Sequence, residues 1–416
     1  MFRLKGFQKL TSIDEALKKW FNAVQIKNLK VATVPLHSAL FRVVAEDIIA
    51  EENLPRLDRS AVDGYAVKAE DTVGASQFKP VILQITDENQ VRCEQAKQVW
   101  TGNSIPKGAD AVVMLENTER IDGKIEVWVS LTLGENVSRK GEDVAKGEVA
   151  IKMGTRLKPS HLGLLAALGI GEVKVFDKPK IAILATGNEL INLNEKLREG
   201  QIFEVNRIVL SALCFELGAE PIDLGIAKDD VKEIIAKLKV GCEKADAIIT
   251  TGGTSVGLSD LAPEAVNKIG KPGVIVHGIA MRPAMPTALA IVNEKPIVIL
   301  SGNPVAAMIG FEVFARPLIF KLQGLKQEEY RPIVEAKMTR RISAVLGRKT
   351  FVRVHVFQRN GKFFAEPISA RGSGIISTMT KANGYVVVPE NREGLEESES
   401  VLVHLFDTIG VADENV

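Results

Sequence analysis

From Lys178 onward the chain alternates short apolar runs with amphipathic ones, and this rhythm limits the folds open to it more than any other feature. "KIAIL" is followed by "NRIVLSALCFELGA", "PIDLGI", "DDVKEIIAKLKVGCEKA" and "AIITTGG". Strands separated by helix-length segments form βαβ units, and these predict a parallel sheet covered by helices on both faces. The pattern continues through "GVIVHGIA", "TALAIV" and "PIVILSG" to a helix predicted to start at Asn303-Pro304. Open parallel sheets bind ligands outside the carboxyl ends of their strands. That rule collects "TGNEL", "AKDD", "TGGTSVGLSD" and "SGNP" on one rim.

The residue types on that rim suit a phosphorylated ligand held through a metal ion. Gly252, Gly253 and Gly257 let the backbone turn sharply and approach a ligand closely, and Ser255 adds a hydroxyl. After Gly302, Asn303 can cap a helix whose first position is Pro304, leaving N–H groups and the positive dipole end for an anion. It could equally be an ordinary helix start. Glu189 follows a strand and a Gly-Asn turn, where a carboxylate can reach the cleft. Asp229 and Asp260 each end a strand-to-helix connection, and each alone reads as a helix cap. Together with Glu189 they could hold a hard divalent cation such as Mg²⁺, which shares its positions between carboxylates, water and phosphate. Such a set suits chemistry at a phosphoanhydride.

The rest of the chain predicts further domains. "SIDEALKKWF" has capping-box spacing at Ser12 and Glu15 and an apolar stripe that needs a surface to pack on. From about Leu40 to Gly154 short β-like runs alternate with turns. "PSHLGLLAALGI" then reads as a helix with Pro159 in its first turn. Short strands return between about Tyr330 and Leu405, which suits a small barrel or sandwich. The expected domains are residues 1–39 with 155–179, discontinuous and helical; 40–154, a β-rich arm; 180–326, the α/β domain; and 330–407, a C-terminal β-barrel.

Composition removes several classes of function. With 53 Lys+Arg against 52 Asp+Glu, the net charge of +1 gives no reason to expect nucleic acid or an acidic membrane as partner. Three scattered cysteines support neither a disulfide framework nor a zinc knuckle, and the five histidines lack ligand spacing. No GxSxG elbow or GxxxxGK[ST] loop occurs. No run is long and charge-free enough to span a bilayer, so a cytoplasmic location is expected.

"PRLDRSAVDGYAV", "TGNSIPKGADAVVMLE", "GEDVAKGE", "GTRLKPSHLGLLAALG", "ILATGNEL", "TTGGTSVGLSD" and "SGNPVAA" occur in one order along nearly the whole chain. In this the sequence resembles the MoeA family of molybdopterin molybdenumtransferases, to which the E domain of gephyrin is similar. The resemblance implies a multidomain α/β plus β fold: a molybdopterin-binding α/β domain with a mostly parallel sheet, a β-rich arm and a small C-terminal barrel. It also implies a homodimer whose active site is shared, the "DGYAV" arm of one subunit completing the cleft of the other.

The implied reaction inserts molybdate, or tungstate, into adenylylated molybdopterin with Mg²⁺-dependent release of AMP. A molybdopterin adenylyltransferase would then be a partner supplying substrate. By the same resemblance Asp63, Thr101, Asp143, Glu189, Asp229 and Asp260 match active-site positions, and Gly252, Gly253, Ser255 and Gly257 the pterin-phosphate loop. Arg282, Arg348 and Ser373 resemble oxyanion-site residues. Where the family usually has "KPGKP", this chain has "RPAMP", so Met285 replaces a lysine; Ser301 replaces a proline and Leu258 an acidic residue. Two other readings are an adenylyltransferase, whose chains are usually the α/β domain alone, and a non-catalytic molybdopterin-binding paralogue.

Overall fold

The computed structural model describes residues 10–24, 29–253, 260–325, 330–368 and 374–411. The chain forms two compact units, Met1–Val31 with Phe176–Val416, and Ala32–Val175.

The first unit is built on a six-stranded sheet in the order Glu220–Ala227, Lys180–Thr186, Ala247–Thr251, Lys295–Leu300, Ala288–Val292, Pro272–His277. The first four strands pair in parallel, as the βαβ rhythm predicts. The last two pairings are antiparallel. The reversal occurs at Asn293 and Glu294, whose φ values of 50° and 63° give the doubly left-handed two-residue turn that matches strand twist. The sheet is therefore mostly parallel, with an antiparallel margin.

Successive side chains on a strand point to opposite faces, and two cores result. Ile181, Ile183, Ile249 and Val298 enter one; Ala182, Leu184, Ile248 and Ile297 enter the other. Helices Val231–Lys244 and Leu261–Ile269 cover the second core. The first is covered by Asn206–Glu216 and by a continuous helical run: Pro304–Gly310, a π-helical turn Phe311–Ala315, and Arg316–Leu322.

The surface that the opening helix needs is this same sheet. In Ile13–Ala23, Ser12 accepts the Glu15 N–H at 3.3 Å, while Ala16 and Trp20 are wholly buried. Trp20 Nε1 donates to the Ala290 carbonyl at 3.0 Å, so the indole's one polar atom is satisfied inside the core.

Five strands close into a C-terminal barrel: Lys349–Arg359, Lys362–Pro367, Ile333–Met338, Ser400–Leu405 and Gly384–Val388, the last returning to the first. Val354, Val356, Ala365, Val386 and Val403 fill it. Outside the ring, Met281–Arg282 joins in parallel, Met281 opposite Lys349 and Arg282 opposite Thr350. A segment leaving the central sheet thus becomes part of the barrel's ladder.

The second unit holds a six-stranded sheet, Ala111–Met114, Gly64–Val67, Gln95–Val99, Val81–Ile85, Lys124–Val127 and Thr118–Ile121 in that order, over a core of Tyr65, Val67, Leu83, Val113 and Ile125. A separate core packs Val44, Ile151, Leu157 and Val175 against Leu165 of helix Pro159–Ala167. Among the described residues no helix is long and apolar enough to cross a membrane.

Candidate active site

The loops leaving four parallel strands meet at a cavity of about 380 Å³ on the carboxyl rim of the central sheet. Gly252, Gly253, Gly302 and Asn303 line it, together with Glu189 and Asp229. Gly252 is required by geometry: its φ is 88°, and a Cβ there would lie 2.2 Å from the Thr186 carbonyl oxygen. A Cβ on Gly302 would stand 3.5 Å from Gly252 Cα, so these two loop backbones run side by side.

Glu189 folds back over the end of its own strand. Its carboxylate oxygens lie 2.8 and 2.9 Å from the point a Cβ on Gly187 would occupy, so the glycine makes room for the acid. The structure also separates two neighbouring acids that the sequence leaves ambiguous. Asp230 caps helix Val231–Lys244, accepting the Lys232 N–H at 3.1 Å. Asp229, released from that duty, exchanges hydrogen bonds with Asn188: it accepts the Asn188 N–H at 3.3 Å, and its own N–H reaches Asn188 Oδ1 at 3.1 Å. This pair ties the "TGNE" loop to the "AKDD" loop.

Asp260 immediately precedes helix Leu261–Ile269 and is not among the cavity's lining residues, although Leu261 is. Its charge faces His277, whose pKa burial pulls down while Asp260 pushes it back up. Among the described residues no three His, Cys, Asp or Glu side chains gather as a metal-holding group. Ser255, Gly257, Leu258 and Ser373 lie outside the described residues.

One wall of the cavity is a buried polar cluster that sequence reasoning missed: Thr186, Glu204, Asn206, Thr251 and Ser301 all line it. Asn206 is 7% exposed, and its amide donates at 2.8 Å to both Thr251 Oγ1 and the Gly302 carbonyl. The Thr251 hydroxyl donates onward to the Ser301 carbonyl at 3.0 Å. Two polar atoms on this wall, Asn206 Oδ1 and Thr186 Oγ1, are buried without a hydrogen-bond partner among the described residues. Each such group costs about 1–3 kcal/mol in a finished core. Beside them Glu204, 3% exposed, is paired with Arg207 at 3.0 Å, and Arg207 also holds Asp223 at 2.6 Å. An asparagine beside a helix start reads as a cap in sequence, which hid Asn206.

The oxyanion candidates Arg282 and Arg348 lie where the central sheet's chain joins the barrel, and neither lines the cavity. Pairing of Met281–Arg282 with the start of strand Lys349–Arg359 sets exposed Arg282 opposite Thr350, two residues along from half-buried Arg348. Met285 is half-buried, and its carbonyl accepts the Ile279 N–H at 2.8 Å. Next to it Ala284 has φ 73°, the left-handed region that favours glycine. At the other edge, a Cβ on Gly374 would lie 3.7 Å from Asn303 Oδ1, so the segment after residue 373 reaches the cavity's helix start.

Asp63, Thr101 and Asp143 belong to the second unit. Asp63 Oδ1 accepts both the Thr101 N–H and its hydroxyl at 2.7 Å, and these bonds, the backbone one first, hold its pKa below the ordinary carboxylate value. The Asp143 N–H donates to the Leu54 carbonyl at 3.0 Å.

A glycine-walled turn and two carboxylates on the rim of a mostly parallel sheet, with a barrel joined to the domain through Met281–Arg282, define a multidomain α/β protein built around a polar ligand cavity. Residues 11–169 match the MoeA N-terminal region (domain I and II), residues 182–321 the "Probable molybdopterin binding domain", and residues 335–406 the MoeA C-terminal region (domain IV). The chain is 39% identical to a Methanocaldococcus jannaschii protein over 97% of this chain and 99% of that one. It is 36% identical to the molybdopterin molybdenumtransferase of Bacillus subtilis, over 95% of this chain and 94% of the relative. A crystal structure of a molybdopterin biosynthesis MoeA protein from Pyrococcus horikoshii superposes with a TM-score of 0.78 at 35% identity, covering 96% of this chain and all of that one. The chain belongs to the MoeA family, and it is an enzyme of molybdenum cofactor biosynthesis.

Proposed function

We propose that the chain inserts metal from molybdate, or tungstate, into adenylylated molybdopterin with Mg²⁺-dependent release of AMP. The observation that carries this is the rim cavity, which the turns of Gly252 and Gly302 line together with Glu189 and Asp229. A phosphate suits the turns and a hard cation suits the carboxylates. Glu189 and Asp229 would hold Mg²⁺, with Asp260, beside the cavity-lining Leu261, as the third carboxylate. A cation held by these carboxylates would supply positive charge for the phosphoanhydride oxygens. The chain's own residues bind and orient: the turns fix the phosphate, the Asn188–Asp229 bonds fix two rim loops against each other, and Arg282 with Arg348 attracts the oxyanion.

Under the same proposal the enzyme is a cytoplasmic homodimer with shared active sites, in which Asp63, Thr101 and Asp143 of one subunit serve the cavity of the other. Its four domains are residues 1–39 with 155–179, 40–154, 180–326 and 330–407. A molybdopterin adenylyltransferase supplies its substrate. The test is to incubate the purified protein with adenylylated molybdopterin, Mg²⁺ and either oxyanion, and to measure AMP and metal-loaded cofactor. Both products are expected, and only with Mg²⁺. Consumption of ATP on plain molybdopterin, without AMP release from the adenylylated form, would replace this reading with the adenylyltransferase.

A further inference from the structure

This inference rests on reading the rim cavity as the phosphate site, and it concerns the wall of that cavity formed by Asn206, Thr251 and Ser301. Asn206 opens helix Asn206–Glu216 but does not cap it. The Arg207 N–H is taken by Glu204 Oε1 at 3.0 Å instead. The Asn206 amide has two N–H donors, and both are spent. One goes to the Gly302 carbonyl and one to Thr251 Oγ1, which passes its own proton to the Ser301 carbonyl. Two successive carbonyls of the Ser301–Gly302–Asn303 turn are therefore held, directly or through one hydroxyl, by a single side chain.

In a trans peptide the N–H points opposite to the C=O of the same plane. Fixing the Ser301 and Gly302 carbonyls thus fixes the Gly302 and Asn303 N–H groups on the other side of the turn. Among the described residues the Asn303 N–H makes a single long contact, 3.4 Å, to Ser301 Oγ. Meanwhile Asn206 Oδ1 stays buried and unpartnered, as does Thr186 Oγ1 on the same wall. An amide kept at that cost is kept for its donors.

We infer that Asn206 is a positioning residue for substrate binding: through Gly302 and the Thr251–Ser301 relay it turns the Gly302 and Asn303 N–H groups to the phosphate of the pterin substrate. Asn206 itself does not touch the phosphate.

The experiment is a fluorescence titration of molybdopterin, which carries the phosphate, into wild-type protein and into Asn206→Leu, Thr251→Val, Thr251→Ser and the Asn206→Leu/Thr251→Val double variant, with melting temperatures recorded for all. Asn206→Leu is expected to weaken binding about tenfold, and Thr251→Val by about threefold. Thr251→Ser, which keeps the hydroxyl, should recover the affinity that Thr251→Val loses. The double variant should bind less weakly than the product of the single effects, because both act on one turn. Wild-type affinity in folded Asn206→Leu, or equal affinities for Thr251→Val and Thr251→Ser, overturns the inference. Should Asn206→Leu fail to fold, the Thr251 pair decides. If wild-type protein binds molybdopterin but releases no AMP from the adenylylated substrate, the proposed reaction falls while the inference is still decided by the titration. If it binds no molybdopterin, both fall.

Discussion

Two buried polar clusters lie within the same compact unit and are finished differently. In the π-helical turn, Glu312 accepts from Arg316 Nη1 at 2.8 Å, Arg331 Nε at 2.9 Å and Arg331 Nη2 at 3.0 Å. All three residues are at most 14% exposed in their side chains, and Arg316 also lies over the Phe320 ring. Arg316 Nε is buried there without a hydrogen-bond partner among the described residues. The wall behind Gly302, by contrast, leaves polar atoms of Asn206 and Thr186 unpaired among the described residues. A network whose charges are matched holds helices and barrel together; the one left incomplete at the cavity spends both amide donors on the Ser301–Gly302 turn and leaves its oxygen unpaired. Burial of polar atoms alone would have ranked the two clusters alike.

The comparison breaks most visibly at Glu312. Replacing it by alanine strands the buried Arg316 guanidinium and leaves Arg331 only its 3.4 Å contact with Glu216, and is expected to cost about 3–5 kcal/mol in urea denaturation, with substrate affinity of the folded fraction unchanged. A loss under 1 kcal/mol would show that the cluster is not a structural lock. Glu189→Gln should do the reverse. AMP release is expected to fall on the order of 10²–10³-fold with an unchanged unfolding midpoint, since the carboxylate lines the cavity and bonds nothing that holds the fold. Normal turnover would remove Glu189 from the mechanism.

Acid sharpens the same contrast. Burial pushes the Glu312 carboxyl up, but the bonds and charges of Arg331 and Arg316 together outweigh it and hold its pKa below the ordinary 4.5. A depressed carboxylate contributes stability above its unfolded pKa, and that contribution is lost as pH falls through the folded value. The steepest loss of stability below about pH 4.5 should therefore be present in wild-type protein and flattened in Glu312→Gln; parallel pH profiles would exclude Glu312 as its source.

Smaller effects belong to the oxyanion segment. Met285→Lys should lower the half-saturating molybdate or tungstate concentration about tenfold, one charge-assisted hydrogen bond's worth, and Arg282→Ala should raise it. If neither moves it, the oxyanion does not meet this loop. Smallest of all, Ala284→Gly relieves a left-handed residue and should stabilise the protein by about 1 kcal/mol, read as a shift of the urea midpoint.

Much of the rim was legible because strand-to-helix loops of a parallel sheet must end on one side, so "TGNE", "AKDD" and "SGNP" could be gathered without coordinates. What stayed hidden depended on partners far away in the chain. The adjacent acids Asp229 and Asp230 are indistinguishable until one of them meets Lys232 and the other Asn188. The opening helix shows its apolar stripe but not its destination, since Trp20 finds Ala290 across 270 positions. The antiparallel margin was missed because Asn293-Glu294 lacks the glycine that usually announces a tight hairpin. Asn206 was hidden for a chemical reason: its donors serve two backbone-bound targets whose positions no pattern encodes.

The short ladder between Met281–Arg282 and the start of strand Lys349–Arg359 bears on how the polypeptide can be divided. A cut at Gln323–Gly324, just after the helix ending at Leu322, would not yield two complete parts. The C-terminal fragment would carry the closed ring with the Lys349 N–H deprived of the Ala280 carbonyl it now bonds at 3.0 Å, and the N-terminal fragment would keep the strand piece that fits there. Each half would carry a docking address for the other, which makes this junction a natural place to build a split enzyme that reassembles from separately expressed pieces.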